Sequence, residues 1–168
     1  MEMKGRSFTF GSRNSTSGRL MPLYFIKQHT GEAPEAFFNS VAYSESHPIT
    51  LKWVESGRVE VGVVNFGTYD ERVANKQIDP TLCIKVWETP EYYDYNITVH
   101  PIVETKFCKG FTKKLTEALV GMKDPELVAA FKRKKMVPCK SSDFDAIKAV
   151  AEENDLLVKP KKRGSVDR

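Results

Sequence analysis

Apolar positions along the first hundred residues change period repeatedly, and each change marks a predicted element. Phe8 to Ser12 alternates apolar and small residues and predicts a strand. Gly18 to about His29 predicts a helix carrying Leu20, Met21, Leu23, Tyr24, Phe25 and Ile26, with Pro22 tolerated near its first turn. Thr30-Gly31 ends it, and Pro34 opens a short helical segment through Phe37-Phe38. Val41 to Tyr43 is a second short strand. From Ser46, Ile49, Trp53 and Val54 recur at helical spacing, and Ser56-Gly57 closes that helix. Val59, Val61 and Val63 alternate before Val64 makes the run continuous, as in a strand covered on both faces. Tyr69 to Asn75 predicts a brief helix, Leu82 to Trp87 a strand, and Tyr95 to His100 another. Strands alternating with helices predict an α/β lobe with a mostly parallel sheet.

The pattern then changes. Thr105 to Met122, Asp124 to Arg133 and Ser142 to Leu156 all read as helices, with Phe107, Phe111, Leu115, Leu119, Leu127, Phe131, Phe144, Ile147 and Val150 at apolar positions. This gives a lobe over 7–97, a helical segment over 98–158 and a basic tail over 159–168. No internal repeat or low-complexity stretch interrupts the series.

Composition narrows the picture only a little. With 168 residues and 40% hydrophobic content the chain is long enough to bury one real core. The net charge of +4 is modest, and much of it lies in LVKPKKRGSVDR, which has no interleaved aromatics. That argues for a solvated tail and against a nucleic-acid partner. No apolar run approaches the ~20 residues a membrane span needs, and MEMKGRSFTF lacks the apolar core of a secretory signal. Cys83, Cys108 and Cys139 show neither CxxC nor Cys/His metal spacing, so buried reduced thiols are expected, with no metal and no cofactor.

The candidate chemistry sits in FTFGSRNSTSGRLMP, Phe8 to Pro22: a strand, a hydroxyl-rich turn and a helix start. Unsatisfied N–H groups and the helix dipole make such a start an oxyanion cradle. Asn14, Ser15, Thr16 and Ser17 each add a side-chain donor, and Gly18 removes bulk beside them. Taken alone, the same residues read as an ordinary helix cap.

Four blocks in order shift that reading: FGSRNSTSGRLMP, Ser46-His47, VEVGVVNFGTYD and YYDYN. From about Ser7 to Leu157 the chain resembles the phosphate, phosphite and phosphonate family of ABC-transporter solute-binding proteins. The resemblance implies a type 2 periplasmic-binding fold, with two α/β lobes hinged about a ligand cleft. On that comparison the chain carries the second lobe complete, plus the C-terminal helices of the first, whose N-terminal sheet has no counterpart. Apolar surface left on those helices predicts self-association, a homo-oligomer through the uncovered face.

The resemblance further implies that Ser15, Thr16 and Ser17 bind the oxyanion, with Asn14 standing where relatives often carry serine. His47 matches a position lining the cleft, against the plain alternative of a histidine opening a helix before Pro48. Asp94, next to Tyr93, would repel a bare oxyanion, so it selects a ligand that brings a proton or an amine. Strand alternation puts Asp94 and Asn96 on one face and Tyr93 and Tyr95 on the other. Asn65 ends its strand where α/β proteins place ligands. In aminophosphonate binders a glutamate nearby receives the amine, and here that position falls on Gly67.

The expected function is solute binding for an ABC importer of phosphate, phosphite or phosphonate, with no catalysis, a permease partner and a periplasmic location. The alternative is a shortened relative, inactive in transport, acting as an interaction or sensory module. An enzyme ranks last, because His47 and Asp94 are the only candidate bases and neither has an orienting partner in the sequence.

Overall fold

A computed structural model describes residues 3–131, 135–154 and 156–157. The described residues divide into two compact units, 3–94 with 146–154 and 156–157, and 95–131 with 135–145.

The first unit is built on three parallel strands in the order β2-β1-β3. They are β1 (Ser7–Phe10), β2 (Ser40–Tyr43) and β3 (Val61–Gly62). In the ladder Phe8 faces Val41 on one side and Val61 on the other, and Phe10 faces Tyr43. The mostly parallel, helix-flanked sheet is the architecture the alternating pattern predicts.

Between the strands run a five-residue π-turn (Thr16–Leu20), α1 (Met21–Thr30), α2 (Pro34–Phe37) and α3 (His47–Glu55), and α4 (Phe66–Ala74) follows β3. Prolines mark the first turns of α1, α2 and α3, where an N–H would go unpaired anyway. Gly31, at φ 71°, ends α1 in the left-handed region and returns its N–H to Lys27 O.

Phe8 and Phe10 project onto the face covered by α1 and α2. Phe8 stacks on Phe38 at 4.2 Å and meets Phe10 edge-on at 4.8 Å. Leu23, Ile26, Val41 and Val63 close that cluster. On the opposite face Thr9 and Gly62 admit α3. A β-carbon on Gly62 would lie 2.6 Å from Thr50 Cγ2 and 3.1 Å from Val54 Cγ2, so only glycine lets the helix approach. Leu51, Ile78 and Cys83 form a second cluster. A third joins α1 to α8 (Asp145–Glu153), whose Val150 and Ala151 bury against Leu20, with Lys27 and Glu153 paired at 2.7 Å.

The second unit holds α5 (Val103–Lys106), α6 (Phe111–Val120), α7 (Pro125–Ala130) and a 3₁₀ turn at Ser141–Phe144. None of its described side chains is buried, and Ile102, Phe107 and Leu127 are more than half exposed.

Several expectations need correction. The Val59–Val64 strand contracts to Val61–Gly62, although Val63 N–H still reaches Thr9 O. Leu82–Trp87 and Tyr95–His100 form no strand, because no described segment offers their backbones a ladder. Asp94, Asn96 and the tyrosines therefore have no strand faces to share. The helix expected over Thr105–Met122 begins at Val103 and breaks at Gly110, φ 82°. There the Glu104 carboxylate takes the N–H groups of Gly110 and Thr112 at 2.6 and 2.8 Å, giving α6 a fresh start. The helix expected over Asp124–Arg133 covers Pro125–Ala130, and that over Ser142–Leu156 becomes the 3₁₀ turn and α8. Residues 132–134, 155 and the tail 159–168 lie outside the described residues. Cys83 is buried as expected, with its thiol pKa pushed up by burial, but Cys108 and Cys139 are exposed.

Candidate oxyanion site at the strand ends

All three strands are parallel, so all three leave the sheet at one edge, and β1 sends its neighbours to opposite sides. That is where open α/β sheets collect ligands. After β1 comes the turn with Ser15, Thr16 and Ser17. After β2 comes His47 at the first position of α3, and after β3 comes Asn65.

The turn has an unusual helical start. Leu20 N–H bonds to Ser15 O at 3.0 Å and Met21 N–H to Thr16 O, five residues back in each case. Such π-turns recur at functional sites. Ser15 is the cap, its Oγ accepting from Gly18 N–H at 2.9 Å, and its hydroxyl proton remains available for donation. The ordinary cap reading is thus correct for Ser15. Gly11 N–H donates to Gly18 O at 2.8 Å and ties the end of β1 to the turn. Among the described residues, the N–H groups of Thr16 and Ser17 have no acceptor. They are the first-turn amides that a helix start leaves open.

His47 faces this turn. Its Nδ1 accepts from Asn65 N–H at 3.3 Å, which assigns the ring proton to Nε2. Nε2 lies 3.5 Å from Ser17 Oγ, and Ser17 is buried. His47 therefore offers the turn a neutral N–H donor. A network beneath fixes it: the buried hydroxyls of Ser44 and Thr50 meet each other, Phe10 O and Ser46 O. This links the end of β1 to the start of α3. Gly18 allows the close fit, since a β-carbon there would lie 3.2 Å from His47 Cε1.

Burial lowers the His47 pKa below its ordinary 6.5, while the charge of Asp94 pulls it back up. The ring is thus neutral at pH 7. Below 6.5 the unfolded chain takes a proton that folded His47 still refuses, so this group's stability contribution is full above 6.5. It is lost as pH falls through the folded pKa. Thermal melts from about pH 7.5 to 5 should show falling stability, and His47→Gln should flatten that decline. An unchanged slope in the variant would contradict the burial.

Of the residues expected from the sequence, Ser15, Ser17, His47 and Asn65 come together through these contacts, and Asp94 acts on His47 through its charge. Asn65 also caps α4, its Oδ1 accepting from Gly67 N–H at 3.0 Å. Thr16 shares the turn through its amide, and Asn14 sits exposed just before it. Tyr93 is 45% exposed and precedes Asp94 in the chain. The Ser44–Thr50 support was missed; its only signal is a threonine four residues after Ser46, one helical turn on. Among the described residues no His, Cys, Asp and Glu group could hold a metal, and no helix is long and apolar enough to cross a membrane.

Residues 1–144 match a family described as ABC transporter, phosphonate, periplasmic substrate-binding protein. The chain belongs to that family. It is 30% identical over 154 residues to a probable ABC transporter phosphite binding protein, PhnD1, of Prochlorococcus marinus (strain MIT 9301), covering 89% of this chain and 52% of that protein. It also superposes, with TM-score 0.77 and 30% identity, on a solved structure of PhnD1 from Prochlorococcus marinus (MIT 9301) in complex with methylphosphonate. That match covers 92% of this chain and 59% of the other. The chain thus spans a little over half the length of the relatives it matches. The phosphonate-binding family is one of solute-binding transport proteins and not of enzymes.

Proposed function

We propose that the strand-end site holds a single phosphorus oxyanion, and that the chain is a ligand-holding lobe serving an ABC importer in the periplasm. The observation that carries this reading is the pair of open N–H groups at Thr16 and Ser17 beside the Nε2–H of His47. Together with the hydroxyls of Ser15, Thr16 and Ser17 they are neutral donors converging from two loops, complementary to tetrahedral oxygens. Neutral donors bind an anion without locking it in an ion pair, which suits a protein that must release its cargo.

Asp94 sets the protonation state. Its carboxylate only accepts hydrogen bonds, so it favours an anion that keeps one P–OH and disfavours one fully deprotonated. Phosphite, phosphate and methylphosphonate meet that condition near neutral pH, and sulfate does not. Gly67 supplies no carboxylate for a ligand amine, which argues against aminoalkyl phosphonates.

Calorimetry with these anions tests the reading. Methylphosphonate or phosphite should bind at least about tenfold, or ~1.4 kcal/mol, more tightly than sulfate and 2-aminoethylphosphonate. Asp94→Asn should narrow the gap to sulfate. Tighter binding of 2-aminoethylphosphonate would reverse the assignment of Gly67, and equal binding of sulfate would remove the role of Asp94.

A further inference from the structure

Neutral donors hold an anion but do little to gather it from solution. Two guanidiniums beside them are arranged to do so. Arg13 lies over the Tyr43 ring at 3.9 Å from its centroid, and Arg19 stands 5.9 Å from the same centroid. Arg19 Nε donates to Tyr43 Oη at 3.2 Å, and its Nη1 donates to the Arg13 carbonyl at 3.3 Å. Both long side chains are thereby held in one cluster. Tyr43 is fixed in turn, because it ends β2 opposite Phe10 and stacks on that ring at 5.6 Å.

Neither guanidinium forms an ion pair among the described residues, so neither charge is neutralised by direct contact with a carboxylate. Arg13 stands three residues before Thr16, and Arg19 two after Ser17. Chain geometry keeps the backbone of each within roughly 10 Å of those amides, comparable to the Debye length of about 8 Å at physiological salt.

We propose that Arg13 and Arg19, clamped on Tyr43, are the capture element of the site: they draw phosphorus oxyanions toward the turn and set the association rate, while the neutral donors set how long the ligand stays. This rests on the oxyanion reading of the turn. A pair of fixed cations speeds encounter with an anion and is screened by salt, whereas short-range hydrogen bonds govern release.

Exchange line shapes in phosphorus NMR, with methylphosphonate and the 168-residue chain, give association and dissociation rates separately. At about 0.01 M salt the Arg13→Gln/Arg19→Gln variant should associate about tenfold more slowly than the parent, and the difference should shrink near 0.15 M. Its dissociation rate should stay within about twofold. The Arg13→Lys/Arg19→Lys variant keeps both charges and should retain most of the rate, which a merely structural role for the arginines would not allow. Tyr43→Phe removes the hydroxyl that anchors Arg19 and should fall between the two. A Gln variant with the parental association rate at low salt, or a loss confined to dissociation, overturns the proposal. Absence of binding by the parent chain would instead overturn the oxyanion reading, and the capture role with it.

Discussion

Replacing Phe8 with alanine is expected to destabilise the first unit by about 3–5 kcal/mol, most of the stability a small domain possesses. The residue is 1% exposed on the central strand and touches both neighbouring rings, Phe10 and Phe38. Its removal deletes the contacts on which α1 and α2 close over the sheet, and the flanking strands are only four and two residues long. So short a sheet cannot collapse inward to refill the space. Urea unfolding followed by far-ultraviolet circular dichroism reads the change directly. A loss below about 1 kcal/mol would mean that this cluster is not the core.

Gly18→Ala is expected to weaken methylphosphonate binding by about tenfold or more while costing less stability than the Phe8 change. The new β-carbon would stand 2.9 Å from Ser15 Oγ, 3.1 Å from Ser15 Cβ and 3.2 Å from His47 Cε1. Ser15 Cβ is fixed to the backbone and its hydroxyl caps the turn, so it has little room to retreat. His47 is held from the other side by Asn65 N–H. Either the cap opens or the imidazole moves off Ser17, and each outcome disperses the donors. Calorimetry and a thermal melt on the same variant separate the two effects. Parental affinity in a folded Gly18→Ala protein would show that the close fit of turn and ring is irrelevant to binding.

What the residues revealed in advance divides by the range of the interactions involved. The run from β1 through the turn, α1, α2, β2 and α3 was readable because local chemistry writes it: alternation at Phe8 and Phe10, hydroxyls at the cap, prolines in first turns, Gly31 at a helix end. The stretches 82–87 and 95–100 have strand-forming residues such as Ile84, Val86, Tyr95 and Ile97, yet they remain irregular. Residue type supplies only half of a strand, since the other half is a partner backbone, which composition does not encode. Similarly, periodicity ran a helix straight through Gly110 because it is blind to the Glu104 carboxylate taking over the amides of the next turn.

The site followed the same division. The serines of the turn and His47 stood out through the ordered blocks of the family resemblance. Their support did not, because the bond from Ser44 to Phe10 O and the clasp of Arg19 on Tyr43 exist only once β2 lies against β1. Contacts between residues 24 to 34 positions apart are made by topology.

An amide chemical-shift titration of the 168-residue chain with methylphosphonate puts the central idea to its most direct test. The largest movements are expected at the Thr16 and Ser17 N–H groups, with the His47 ring proton on Nε2 shifting alongside them. Saturable binding that leaves those three signals in place, or no saturable change at all, would contradict it.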